Sequence, residues 1–346
     1  MTGIRTTTIG TFPKPDYVPD RAWSRSQFAA NLDASELDHR DLETRLALAT
    51  KASVMAQVDA GIDVPTDGEM RREHYIFYHL RHLSGVDFDN LQKRGIRGGA
   101  WEREVPTIVD SVRPNGHFLP YDFQIAQSYS SQPVKITVPG PMTIADTVVD
   151  DYYGDPRLLN RSIADVLNVE IRALAEAGCR HIQVDEPVFA RKTKEALAFG
   201  IDDLERCFAG VPSHVQRVVH LCCGYPRHLD EPDEDVYKAD PAAYFDLAGA
   251  LDQAEVDAIS IEDAHRPSDL RLLELFERST VIFGLVAIAK TRVETVEEIR
   301  MRLQEAMVHI DRERIVAGPD CGLGMLNLKT TTSKLVNLTA AARSIG

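Results

Sequence analysis

His220 and Cys222 stand two residues apart in Val218-Val219-His220-Leu221-Cys222-Cys223, so on an extended segment they project from one face. Taken alone, such a pair suits a buried core as well as a metal, because cysteine is among the most buried residue types. Two more residues change that weighting. Cys321 follows Val316-Ala317-Gly318-Pro319-Asp320 and Glu262 follows Ile259-Ser260-Ile261, each at the end of a strand-like run. One imidazole, two thiolates and one carboxylate match the N/S/O preference of Zn2+. Structural zinc sites use short Cys-x-x-Cys hooks, whereas these candidates are spread over about 100 residues, and three ligands with an exchangeable fourth describe a catalytic metal.

A second group could hold an amino acid. Glu69 in Thr66-Asp67-Gly68-Glu69 and Asp185 in Gln183-Val184-Asp185-Glu186-Pro187 are strand-end acids that could clamp an ammonium group. The free amides of Gly10 and Thr11, in Ile9-Gly10-Thr11-Phe12-Pro13, could receive a carboxylate. The competing reading is that strand-end acids cap the helices that follow them. Cys223 points away from Cys222 on a strand, and Cys179 and Cys207 fall in helix-like contexts, so all three read as structural. The other histidines, His265 among them, have no partner at ligand spacing and read as surface or core residues.

The elements that must carry these groups recur as short apolar runs with helix-like stretches between them, the pattern of βα units on a parallel sheet. The runs are 6–11, 62–66, 134–138, 181–185, 217–222, 256–262, 281–287 and 315–320. Helical periodicity marks 41–60, 158–177 with Gly178 as its C-cap, and 295–306. Eight strands predict an α/β fold of the (β/α)8 TIM-barrel type, whose chemistry lies at the C-terminal strand ends. Residues 67–133 are too long for an ordinary connection. Their Arg97-Gly98-Gly99-Ala100-Trp101 stretch suggests a hairpin-bearing insertion between strands 2 and 3, serving as lid or interface. No Pro/Ser-rich linker or fixed-period repeat divides the chain, so residues 1–346 are expected to form a single catalytic domain.

Composition narrows the function further. With 39 basic and 53 acidic residues the net charge is −14, which opposes binding to nucleic acid or an anionic membrane. The N-terminal residues lack the apolar core of a signal peptide, and no apolar run approaches a membrane span. Five irregularly spaced cysteines suit a reducing compartment, and a cytoplasmic location is expected.

In order, these motifs resemble the C-terminal catalytic barrel of the cobalamin-independent methionine synthase family, within the superfamily that includes uroporphyrinogen decarboxylase. The resemblance runs the whole length. It rests on Ile9-Gly10-Thr11-Phe12-Pro13, Asp67-Gly68-Glu69, Pro139-Gly140-Pro141-Met142-Thr143, Asp185-Glu186-Pro187, His220-x-Cys222, Ile261-Glu262 and Pro319-Asp320-Cys321-Gly322-Leu323. It implies that His220, Cys222, Glu262 and Cys321 are zinc ligands, with Glu262 exchangeable. It also implies that Ile9, Gly10, Thr11, Glu69 and Asp185 hold homocysteine, whose sulfur is methylated to give methionine.

Three departures concern the methyl donor. The second, N-terminal barrel of folate-using members is absent from this sequence, the aromatic residue that stacks the pterin is replaced by Thr147, and the histidine expected to protonate the departing folate aligns with Ala289. A short, core-type enzyme with a non-folate donor such as a methylated corrinoid protein is therefore expected. Alternatives are a zinc alkyltransferase of the epoxyalkane to coenzyme M type, and a metal-free decarboxylase-like barrel. Coenzyme M, a sulfonate without an ammonium, would call for basic residues where Glu69 and Asp185 stand.

Overall fold

The computed structural model describes residues 3–18, 39–96, 101–224, 228–231 and 239–345. Its main sheet has seven strands: β1 (Arg5–Thr6), β4 (Lys135–Pro139), β6 (His181–Asp185), β7 (Gln216–His220), β8 (Ala258–Ile261), β9 (Thr280–Gly284) and β10 (Ile315–Gly318). All neighbours are parallel, in the order β1-β10-β9-β8-β7-β6-β4. Seven of the eight expected strands are thus present.

The remaining expected strand, 62–66, is not a regular strand. It joins the two edges of the sheet through single parallel bridges, Thr7 to Val64 and Thr66 to Lys135. Two local features explain the interruption. Pro65 has no N–H to donate to a ladder, and the Asp63 carboxylate accepts from both the Thr6 amide at 2.8 Å and the Thr6 hydroxyl at 2.9 Å. The segment bridges the edges of the ring and delivers Glu69 to its rim.

Period-two alternation sorts the strand residues. Ile136, Val138, Ile182, Val184, Val219, Ile259, Ile261, Val281 and Phe283 belong to the large core shared with the helices. Ile9, Val218, Ala258, Ile282 and Val316 form a separate small apolar cluster. Strands apolar on both faces are what a parallel sheet covered by helices requires. His220 and Ser260 come two residues after Val218 and Ala258, which carries them to the next level toward the C-terminal strand ends.

Helix termini carry the expected signals. Asp155 caps Pro156–Glu176 by accepting from the Arg157 amide, and Gly178 at φ +98° ends that segment. Thr295 and Glu298 form a reciprocal capping box on Val296–Ala306. Between Glu69 and β4, β2 (Leu83–Ile96) and β3 (Trp101–Pro114) pair antiparallel, and β5 (Val149–Asp150) joins β3 in a separate three-stranded sheet. Residues 97–100, within the stretch expected to carry the hairpin, lie outside the described residues. No described helix is long and apolar enough to cross a membrane.

Gly68 shows how tightly the 62–72 segment is seated. Its φ is +69°, and a Cβ there would collide with the Ser53 hydroxyl and lie 2.9 Å from the Phe12 Cβ. Gly68→Ala is expected to destabilise the protein by about 2 kcal/mol or more. Thermal denaturation checks this, and an unchanged melting temperature would show that the turn is less constrained than described.

Candidate functional site

Strand register brings the predicted residues together. His220 ends β7, and Cys222 follows two residues later, just beyond the strand that was expected to reach it. Cys321 follows β10. The His220, Cys222 and Cys321 ligand atoms all lie within 4.8 Å of one another. The His220 Nε2 is 3.4 Å from the Cys321 Sγ, and the two sulfurs are 3.9 Å apart. A tetrahedral Zn2+ with ordinary bond lengths would set an N/S pair about 3.6 Å apart and an S/S pair about 3.8 Å apart. Both separations are close to what zinc would require. The other imidazole nitrogen, Nδ1, is 2.9 Å from the Ser260 hydroxyl, an outer hydrogen bond that orients a metal-binding histidine.

Glu262 does not join this close group. Its Oε2 accepts from the Cys223 amide at 3.2 Å, and its Oε1 is 3.4 Å from the Arg266 guanidinium. The carboxylate is thus tied to the backbone one residue past Cys222. Tyr244 braces the same corner, donating to the Leu221 carbonyl and receiving the Glu262 amide. Asp320 braces the next: its carboxylate accepts from the amides of Asp263 and Ala264 at 2.9 Å and of His265 at 2.7 Å. Gly284 is required beside it, since a Cβ there would strike the Asp320 carboxylate.

The expected substrate residues share one side of this mouth. Asp185 is the register partner of His220, which joins the two groups across neighbouring strands. The Gln183 amide donates to Asp185 at 2.6 Å and to the Ile9 carbonyl at 2.9 Å. Gly10 passes so close to Glu69 that a Cβ would sit 2.7 Å from its Oε1. The Gly10 and Thr11 amides donate to no other described residue.

The helix-capping duty falls on Glu186, the neighbour of Asp185, while Asp67 closes the turn before Glu69. Glu186 accepts from the Met142 and Thr143 amides and the Thr143 hydroxyl at the start of helix Pro141–Ala145, and Asp67 accepts the Glu69 amide. Glu69 and Asp185 have no such duty. Glu69 instead sits in the left-handed region at φ 57°, rarely occupied by side-chain-bearing residues, and receives the Thr137 hydroxyl at 2.8 Å.

Electrostatics follow from burial. Desolvation raises the Glu69 carboxyl to about 7 despite the nearby Arg72, with Asp67 and Asp185 adding to the rise. Burial likewise brings Asp185 to about 6 and Glu186 to about 8. The Cys222 side chain beside it, together with burial, holds the Cys321 thiol well above its ordinary range. Burial pulls His220 down, but its hydrogen bond with Cys222 and the charge there leave it above its usual value. Burial thus disfavours the charged forms of the Glu69, Asp185 and Glu186 carboxyls and of the Cys321 thiol, and added positive charge would favour them.

Several contributors escaped the sequence reading. Arg72 is buried, donates to the Thr137 hydroxyl at 2.9 Å, and lies 3.5 Å from Asp67 and 3.6 Å from Glu69. Its position three residues after Glu69 was the available signal. His265, read as surface or core, braces loops: its Nε2 accepts from the Ile288 and Ala289 amides at 3.2 Å. Cys179, Cys207 and Cys223 are buried outside the three-residue ligand group.

Comparison with known proteins agrees with this geometry. Residues 4–344 match the profile of the cobalamin-independent synthase catalytic domain. The methionine synthase of Sulfolobus acidocaldarius is 30% identical over 98% of this chain and 91% of its own. A B12-independent methionine synthase from a Shewanella species, solved in complex with selenomethionine, is 30% identical with a TM-score of 0.89, covering 99% of this chain and 98% of that one. A Listeria monocytogenes structure described as a putative vitamin-B12-independent methionine synthase shares the fold at 18% identity and a TM-score of 0.73, covering 100% of this chain and 99% of its own.

Purified without chelator, the protein is expected to carry about one zinc per chain, with Cys222→Ser and Cys321→Ser falling well below that and Cys207→Ala retaining it. Elemental analysis decides. Equal metal in all three variants would place the ion elsewhere.

Proposed function

Because the chain belongs to the cobalamin-independent synthase catalytic-domain family, we propose that it methylates the thiol of homocysteine to give methionine, using zinc held by His220, Cys222 and Cys321, with Glu262, which stands outside their close group, as the exchangeable fourth ligand. The observation that carries this reading is the fit of the His220, Cys222 and Cys321 ligand atoms to one tetrahedral ion, beside acids suited to an amino acid's ammonium. Bound there, zinc would supply the positive charge that keeps a substrate thiol, normally titrating near 8.5, as the nucleophilic thiolate.

The chain's own residues supply binding and orientation. Glu69 and Asp185 take the ammonium, and the Gly10 and Thr11 amides, beside Ile9, take the carboxylate. Together these fix the side chain so that its sulfur reaches the cysteine ligands. Ser260 keeps the His220 ring in place, and Arg72 with Thr137 holds Glu69 in its strained conformation. The same acids oppose a sulfonate, which disfavours coenzyme M as the thiol. The names of the relatives, and the selenomethionine in the Shewanella structure, support methionine chemistry.

For the methyl donor we infer a compound other than a folate. Thr147 turns its hydroxyl back onto the Thr143 carbonyl, and Ala289 is buried and has no titratable group, so neither supplies what a folate donor would need. A methylated corrinoid, the donor expected from sequence, receives no support from the family, which is described as cobalamin-independent.

Calorimetric titration of the zinc-loaded protein tests the acceptor. Homocysteine is expected to bind and coenzyme M not to; the reverse would overturn the reading. The ammonium needs an ionised Glu69, so affinity should be full above pH of about 7 and decline as pH falls through that value. Glu69→Gln should weaken homocysteine binding roughly 30-fold and flatten this pH dependence. For the donor, transfer from methyltetrahydrofolate alone would contradict the non-folate inference.

A further inference from the structure

The Glu262 carboxylate is held at both of its oxygens by groups of this chain. Oε2 accepts from the Cys223 amide at 3.2 Å, and Oε1 stands 3.4 Å from the guanidinium of Arg266, four residues on. The guanidinium is itself anchored. Its same nitrogen, Nη2, donates to the Ala239 carbonyl at 2.7 Å, and the Ala239 amide donates to the Cys223 carbonyl at 2.7 Å. Cys223, Glu262, Arg266 and Ala239 thus close a ring of contacts one residue past Cys222. The Arg266 side chain is 31% exposed and that of Glu262 2%, so a partly solvated cation reaches in to a buried acid.

An exchangeable ligand needs such a place. When substrate sulfur takes its position at the ion, one negative ligand replaces another and the thiol proton passes to solvent, so the carboxylate departs with its charge. A buried carboxylate without a counter-ion is strongly disfavoured. A guanidinium and a backbone N–H are partners that stabilise it as an anion. The His220 ring, in contrast, is held by Ser260 with its other nitrogen 3.4 Å from the Cys321 sulfur, inside the close group.

We propose that Arg266 is a positioning residue that, with the Cys223 N–H, receives the Glu262 carboxylate and competes with the metal for it, which makes Glu262 the ligand that yields to substrate sulfur. This deepens the zinc and homocysteine reading given above and rests on it. The charge of Arg266 sets the balance: a firmer hold on the carboxylate favours thiol entry at the expense of metal affinity.

The test uses the full-length protein with Arg266→Gln, which removes the charge and keeps an N–H donor, and with Arg266→Lys, which keeps the charge. Zinc affinity is measured by competition with a chromophoric chelator, and homocysteine binding to the zinc-loaded protein by calorimetry. Arg266→Gln is expected to bind zinc about tenfold more tightly and homocysteine about tenfold more weakly, with Arg266→Lys between it and the wild type in both. If Arg266→Gln fails to fold, Arg266→Lys carries the same comparison with smaller shifts. A residue that only braces the loop would lower both affinities together, so parallel losses, or no change in either, would overturn the assignment. In a Glu262→Gln background, which leaves no carboxylate for Arg266 to hold, Arg266→Gln should leave homocysteine affinity unchanged; a loss that persists there also rejects it. Wild-type protein that binds zinc but not homocysteine overturns the homocysteine reading and this proposal with it, whereas a wild type that binds both, beside parallel losses in Arg266→Gln, rejects Arg266 alone.

Discussion

The mouth of this barrel concentrates acids and thiols where water cannot solvate their charges. Glu69, Asp185, Glu186, Cys222 and Glu262 are buried, with Cys321 half-buried among them. Desolvation raises the carboxyls of Glu69, Asp185 and Glu186 and the Cys321 thiol, and neighbouring negative charge raises them further. In the proposed function, positive charge enters at two places, a divalent ion beside the thiols and an ammonium beside the carboxylates, and one amino-acid thiol connects them.

The rest of the fold holds that cluster in place. Parallel register sets Asp185 beside His220, so the proposed ammonium and metal ends of the site are neighbouring strand ends. The loops beyond the strands are pinned by buried hydrogen bonds: Asp320 gathers three amides of the 263–265 loop, His265 links that loop to 288–289, and Tyr244 joins the corners of Leu221 and Glu262. Glycines stand where loops pass closest to carboxylates, at Gly10 beside Glu69, Gly140 beside Glu186 and Gly284 beside Asp320. Such bracing holds His220, Cys222 and Cys321, from distant parts of the chain, in one close group.

What the sequence made legible was whatever follows from local pattern. Apolar runs marked seven strands, and the His-x-Cys spacing with a distant Cys-Gly marked the metal group. The 62–66 segment read as a strand because it is apolar, but Pro65 and the Asp63 side chain break the ladder. The position of Glu262 outside the close group could not be seen either, since it depends on where the Cys223 amide and Arg266 draw the carboxylate. Likewise, telling a helix-capping acid from its neighbour required coordinates: of Asp185 and Glu186, Glu186 is the one that caps a helix. Thr137 becomes visible only once the chain is folded, because its partners Arg72 and Glu69 are 65 and 68 residues away.

The central claim is that a metal held by one imidazole and two thiolates receives the substrate's sulfur. X-ray absorption at the zinc edge, before and after addition of homocysteine, tests it most directly. The account predicts two sulfur neighbours at about 2.3 Å in the free protein and three with homocysteine. A sulfur count that stays at two, or a metal ringed by nitrogen and oxygen alone, would contradict it.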